Sequence, residues 1–149
     1  MIKKIIAAIF IVLMLAISGA SDSDIILQHF VFFGENDSWS AEYKTNYMGC
    51  FSEGPNGLHY DSYGNAVLTV TYKKELSDLS SVKHFEFSYL GGSISGWLTE
   101  DYDTGDLMQK TYTFRDNNGR MIQEDATPIV TINLDGKIET IELKNHAVN

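Results

Sequence analysis

Cysteine is almost missing from this chain: Cys50 stands alone among 149 residues, so no intramolecular disulfide can form and the fold has to be held by its core. Proline is nearly as scarce, with only Pro55 and Pro128. No Ser- or Gly-rich tract, fixed-period repeat or low-complexity block divides the chain. Basic residues are few: 11 Lys and Arg stand against 20 Asp and Glu, a formal charge of −9. Binding to nucleic acid rests on Lys and Arg displacing counterions from phosphates, so the deficit excludes nucleic acid, and anionic lipid surfaces with it, as partners. What the acidity supplies is solubility.

Only one long hydrophobic run is present, and it lies at the start. Lys3 and Lys4 give a basic opening, Ile5 to Ile17 is unbroken apolar, and Ser18-Gly19-Ala20 supplies the small residues that a signal peptidase needs. A membrane-spanning helix needs about 20 apolar residues. This run is shorter, so residues 1–20 read as a signal helix that is cleaved on export rather than as a retained anchor. Ile17-Ser18-Gly19 resembles the approach to a bacterial lipoprotein cleavage site, where a cysteine would follow and be acylated; Ala20 stands there instead. Without that thiol there is no site for lipid, and the expected product is secreted with no stable membrane anchor. Cleavage leaves 129 residues (149 − 20) and, with two lysines gone, a formal charge of −11 (−9 − 2). That length suits one domain, 21–149.

Periodicity in the mature part is close to two. Trp39, Ala41, Tyr43, Thr45 and Tyr47 alternate with Ser40, Glu42, Lys44 and Asn46, the pattern of a half-buried strand with Trp39 and Tyr43 inward. Leu68, Val70 and Tyr72 form a second such face, and Phe85, Phe87 and Tyr89 a third. Met108, Tyr112 and Phe114 form a fourth, with Lys110 as its one misfit. Asp135-Gly136 predicts a hairpin. A two-residue turn would set Val130 opposite Ile141 and Ile132 opposite Glu139, a four-residue loop Ile132 opposite Ile141; both keep the apolar residues on one face. Turn clusters are predicted at 53–57, at Ser62-Tyr63-Gly64-Asn65 and at 116–119. Leu76 and Leu79 suit a single helical turn or a crossover between sheets. The sum predicts an all-β chain, an antiparallel sandwich or barrel of about eight to nine strands, and the Trp-bearing strand and long crossover favour a β-sandwich, immunoglobulin-like or similar.

Chemistry-bearing residues are scattered. Asp101, Asp103 and Asp106 offer oxygen ligands in one loop, which would suit calcium. The match to a calcium loop is poor, since Gly105 and Tyr112 stand where ligands are wanted, and a solvated turn is the competing account; no other cofactor is indicated. His29, His59, His84 and His146 show no zinc spacing. Cys50 has no nucleophile signature, and a lone cysteine ordinarily behaves as a small buried hydrophobe. No G-x-S-x-G elbow is present. Tyr47, Tyr60, Tyr63, Trp39 and Trp97 are candidates for an aromatic platform, and Tyr60 and Tyr63, lying among turn residues, are the expected ligand contacts.

Phe33-Gly34-Glu35-Asn36-Asp37-Ser38-Trp39 with Tyr43, Leu68 to Lys73, Val82-Lys83-His84 and Val130 to Lys137 together resemble a family of small exported proteins and lipoproteins of unknown function from Gram-positive bacteria. The resemblance implies a single β-sandwich module and lends no catalytic residue, cofactor or substrate; Ala20 departs from the lipid-anchored pattern. The expected role is a monomeric, non-enzymatic binding or accessory module at or outside the cell envelope, with cell-wall glycan or another envelope protein as partner. A small extracytoplasmic hydrolase using carboxylates and a calcium-stabilised surface module are the alternatives.

Overall fold

The structure, a computed structural model, describes residues 24–91, 94–103, 106, 108–118 and 120–146; the signal helix expected at residues 1–20 lies outside them. Nine strands follow one another: β1 (Ile25–Glu35), β2 (Trp39–Gly54), β3 (Gly57–Tyr72), β4 (His84–Gly91), β5 (Ile94–Asp101), β6 (Thr111–Asp116), β7 (Ile129–Leu134), β8 (Lys137–Glu142) and β9 (Lys144–Asn145). They form two antiparallel sheets, a five-stranded one in the order β6-β3-β2-β1-β9 and a four-stranded one in the order β5-β4-β7-β8. This is the two-layer sandwich that the period-two pattern predicts. Among the described residues no helix is long and apolar enough to cross a membrane.

The described residues fall into two compact units. Ile26–Gly49 with 62–146 form one, which holds the four-stranded sheet and most of the five-stranded one; 24–25 with Cys50–Asp61, the end of β2 and the start of β3, form the other. In the smaller unit the Phe51 ring packs on Tyr60 at 4.5 Å, and the Asp24 carbonyl accepts the Phe51 N–H at 3.0 Å. Cys50 is half-buried there, with its thiol 3.9 Å from the Phe51 carbonyl oxygen, so it is less enclosed than a lone cysteine ordinarily is.

In the larger unit the alternation seen in sequence becomes the core. Trp39, Ala41, Tyr43, Leu68, Val70 and Tyr72 from one sheet meet Phe85, Phe87, Tyr89, Val130, Ile132 and Ile141 from the other, all buried. Aromatic pairs cross the interface: Trp39 stacks on Phe85 at 5.8 Å and 16°, Tyr43 meets Tyr89 at 5.4 Å, and Phe114 meets Tyr89 at 5.6 Å. Offset and tilted pairs of this kind contribute beyond their buried area, about 0.5–1.5 kcal/mol each.

Three local expectations are decided. The hairpin closes in two residues, with Val130 opposite Ile141 and Ile132 opposite Glu139. Asp135 (φ 50°) and Gly136 (φ 90°) take the positive φ values that a primed turn needs. Leu76–Leu79 is one 3₁₀ turn, on the crossover from β3 to β4. Ser62-Tyr63-Gly64-Asn65, by contrast, is not a turn: it lies inside β3, which runs unbroken for 16 residues. Pairing along β2 overrides the local turn preference of Gly and Asn, since a strand held by a neighbour needs no favourable propensity of its own. Likewise β6 starts only at Thr111, so Lys110 is not a misfit on a strand face but part of the segment before it, while Met108 is buried from outside any strand.

Burial pushes up the pKa of several tyrosines. Tyr89 is raised to about 12, first by desolvation and then by the nearby Asp116, and Tyr43 and Tyr112 are also raised, chiefly by desolvation. The folded state therefore holds protons that the unfolded state releases above pH 10. Stability is fully present below pH 10 and falls between pH 10 and about 12, by about 1.4 kcal/mol per pH unit for each tyrosine that titrates only on unfolding. Urea midpoints at pH 8, 10 and 11, read beside tyrosinate absorbance, check this. Flat midpoints with early tyrosinate absorbance would contradict it.

Candidate functional site

The outer face of the five-stranded sheet carries a polar ladder across three strands. His29 on β1 donates from Nδ1 to Asn46 Oδ1 on β2 at 2.7 Å, and Asn46 Nδ2 donates to Asn65 Oδ1 on β3 at 3.0 Å. Tyr63 and Asn65 on β3 point outward because Gly64, Ala66 and Leu68 point in. Tyr63 therefore stands beside the ladder, 61% exposed. Two shallow clefts meet at it. One, of about 350 Å³, is lined by Leu27, His29, Met48 and Tyr47 among others; the second, of about 380 Å³, by Ser62, Asn117, Asn118 and Arg120, again with Tyr47. Tyr63 belongs to both. Tyr60, 42% exposed, lies in the smaller unit against Phe51.

The outer face of the four-stranded sheet carries a third depression, of about 440 Å³, around Trp97. The register sets Trp97 opposite Ser88, Ser88 opposite Thr131, and in the next outward row Ser95 opposite Leu90 and Leu90 opposite Ile129. Trp97 is 72% exposed. Its orientation follows from Gly96, whose missing Cβ would lie 2.5 Å from Tyr89 Cε1 and 2.9 Å from Phe114 Cζ. The two rings occupy the inward side at Gly96, and its neighbour Trp97 faces out. Trp39 and Tyr43 are enclosed in the core, as the alternation predicts.

Acidic residues collect at one end of the four-stranded sheet without forming a metal cage. Asp101 Oδ1 accepts from His84 Nδ1 at 2.7 Å, Glu86 Oε2 lies 3.9 Å from His84 Nε2, and Asp135 accepts the amide N–H groups of His84 (2.8 Å) and Lys83 (3.2 Å). Asp106 Oδ2 accepts the Asp103 amide N–H at 3.1 Å, a local turn contact. The Asp101 and Asp106 carboxylates thus accept different hydrogen bonds, and among the described residues no three His, Cys, Asp or Glu side chains group as a metal would require. The segment between β5 and β6 is pinned by Tyr102, whose hydroxyl donates to Glu100 and meets the Tyr112 hydroxyl at 2.6 Å. Tyr112 in turn accepts the Gln109 N–H at 3.0 Å.

Both ring nitrogens of His84 face carboxylates, which makes it a surface ion pair rather than a base aimed at a nucleophile. The Asp101 hydrogen bond, ahead of the charges of Asp101, Glu86 and Asp135, raises its pKa above the ordinary 6.5. Its contribution to stability is accordingly present below pH 6.5 and lost as pH rises through the folded-state value. Asp101→Asn should bring the His84 midpoint down toward 6.5, read from the imidazole proton shifts in an NMR titration. An unmoved midpoint would show that Asp101 is not the main partner.

The polar ladder, the Trp97 depression and the His84 cluster are each assembled from residues on different strands and turns, which is why spacing in the sequence does not announce them. No family model, curated protein or solved structure matches the chain.

Proposed function

We propose that the chain is exported, is released after Ala20, and works at or outside the cell envelope as a monomeric, non-enzymatic binding module with cell-wall glycan as its partner. Tyr63 carries this reading: a large aromatic side chain, 61% exposed, standing where two clefts meet on a sheet face lined by amides and hydroxyls. Ligand sites combine such apolar surface with a few placed polar groups. The leader at residues 1–20 and the resemblance to small exported Gram-positive proteins support the location.

Two measurements test it. The intact mass of the secreted product should correspond to a chain beginning at Ser21 without lipid; a retained leader or an acyl adduct would contradict release. In a cell-wall pull-down, wild type should be retained and Tyr63→Ala should bind about tenfold more weakly, with its unfolding midpoint unchanged because the side chain is exposed. Loss of all retention together with turnover in a hydrolase screen would sink the binding role. Retention on wall stripped of glycan but not of protein would reassign the partner to an envelope protein.

A further inference from the structure

We infer that the depression around Trp97 is a second ligand site, distinct from the Tyr63 clefts, and that it takes a neutral, equatorially linked pyranose chain. The inference rests on the binding-module reading and adds the ligand class and its seat. A Trp indole buries about 150–250 Å² when covered, yet the fold leaves Trp97 72% exposed in the middle of β5, whose other face is buried at Gly96 and half-buried at Leu98 and Glu100. Its surroundings are not a continuous apolar patch. Across the strands the row reads Trp97, Ser88, Thr131, with Ser95, Leu90 and Ile129 in the row beside it and the Glu86 carboxylate at the margin.

That mixture matches one ligand chemistry. A pyranose with equatorial hydroxyls presents axial C–H groups on its faces, which lie on an indole, and a rim of hydroxyls, which exchange hydrogen bonds with Ser88, Ser95, Thr131 and Glu86. Equatorial linkage keeps successive rings in an extended, flat chain, the shape that a shallow depression on a sheet receives. The volume, about 440 Å³, falls in the range of small-molecule sites, about 300–1,000 Å³. A protein partner of ordinary size needs at least about 1,000 Å² with an apolar centre, whereas here serine and threonine occupy the centre. Charge selects further: among the described residues the only acidic or basic side chain lining the depression is that of Glu86, and the chain carries −9 overall, so an anionic sugar is repelled.

The test uses the full protein with N-acetylated chitotetraose and cellotetraose as probes, maltotetraose as the axially linked control and a β-1,4-linked oligoglucuronate as the anionic one. Trp39 is fully enclosed and Trp97 exposed, so acrylamide quenching reports almost wholly on Trp97. The expected result is protection of the quenchable indole by one or both equatorially linked probes and not by the controls. Read by titration calorimetry, because the variant lacks the reporter indole, Trp97→Ala should weaken that binding by about thirtyfold or more, while Tyr63→Ala leaves it within about threefold. Equal binding by Trp97→Ala and wild type would overturn the assignment, and so would protection by the anionic probe alone. Absence of any protection, with Trp97→Ala abolishing capture of a second protein or of another copy of the chain, would overturn it in favour of a protein-docking face. In all three cases wall retention that still depends on Tyr63 would leave the binding-module reading standing; loss of wall retention as well would remove both.

Discussion

Gly34→Ala should lower stability by about 3 kcal/mol, at the upper end of what overpacking ordinarily costs, and the melting temperature by roughly 10 °C. The reason is a close approach of backbone to backbone. Gly34 lies on β1 on the same side as buried Phe32. A Cβ there would overlap the Glu142 carbonyl oxygen and come within 2.9 Å of Ile141 Cγ2. Glu142 ends β8, and the chain then passes through Leu143, fully buried, into β9, which pairs with β1. The Glu142 carbonyl is therefore fixed at the corner where the chain leaves one sheet for the other, and it cannot swing aside like a flexible side chain. Gly136→Ala is the informative comparison. Its φ of 90° strains an L-residue but the space around it is open, so its cost is about 1 kcal/mol, from backbone conformation alone. Urea midpoints for the two variants and wild type settle the order; a Gly34→Ala protein as stable as wild type would mean that β1 and β8 are not in contact at this corner.

Trp39→Ala should cost about 3–5 kcal/mol, enough to leave a marginal domain largely unfolded at 37 °C. Trp39 is completely enclosed, with its ring 4.9 Å from that of Tyr72 and stacked on Phe85 across the sandwich. Truncation would remove the ring that joins the two sheets at this point and open a cavity among other large rings that have little freedom to collapse. Trp39→Phe should cost only about 1–2 kcal/mol. It keeps an aromatic ring at the interface, and the indole N–H that it removes has no hydrogen-bond partner among the described residues. If the Phe variant were as damaged as the Ala variant, the contribution would lie in that N–H rather than in packing.

The parts of the fold legible from sequence are those decided by neighbours along the chain. Alternation about Trp39, Leu68 and Phe85 shows which face is buried because side chains on a strand repeat every second residue. Asp135-Gly136 names its own turn because few residue pairs accept positive φ twice. Ser62 to Asn65 fails for the converse reason: its turn-like composition is local, while the strand pairing that overrules it comes from β2. The candidate sites are less legible still. Trp97 and Leu98 are adjacent apolar residues, so period two cannot say which points inward; the Tyr89 and Phe114 rings at Gly96 decide it. Tyr63 was accessible to sequence reasoning as an exposed aromatic, but through a predicted turn rather than through its place on an outer sheet face. His84 carried a signal in neither spacing nor composition, since Asp101 reaches it from the end of β5 and Asp135 from the turn between β7 and β8.

We propose that this sandwich binds wall glycan without altering it. Depletion of the protein from solution by purified cell-wall glycan, with reducing ends counted in the same tubes, tests it most directly. Saturable depletion with a constant number of reducing ends is the expected result. New reducing ends appearing over hours, with no saturable depletion, would contradict the claim.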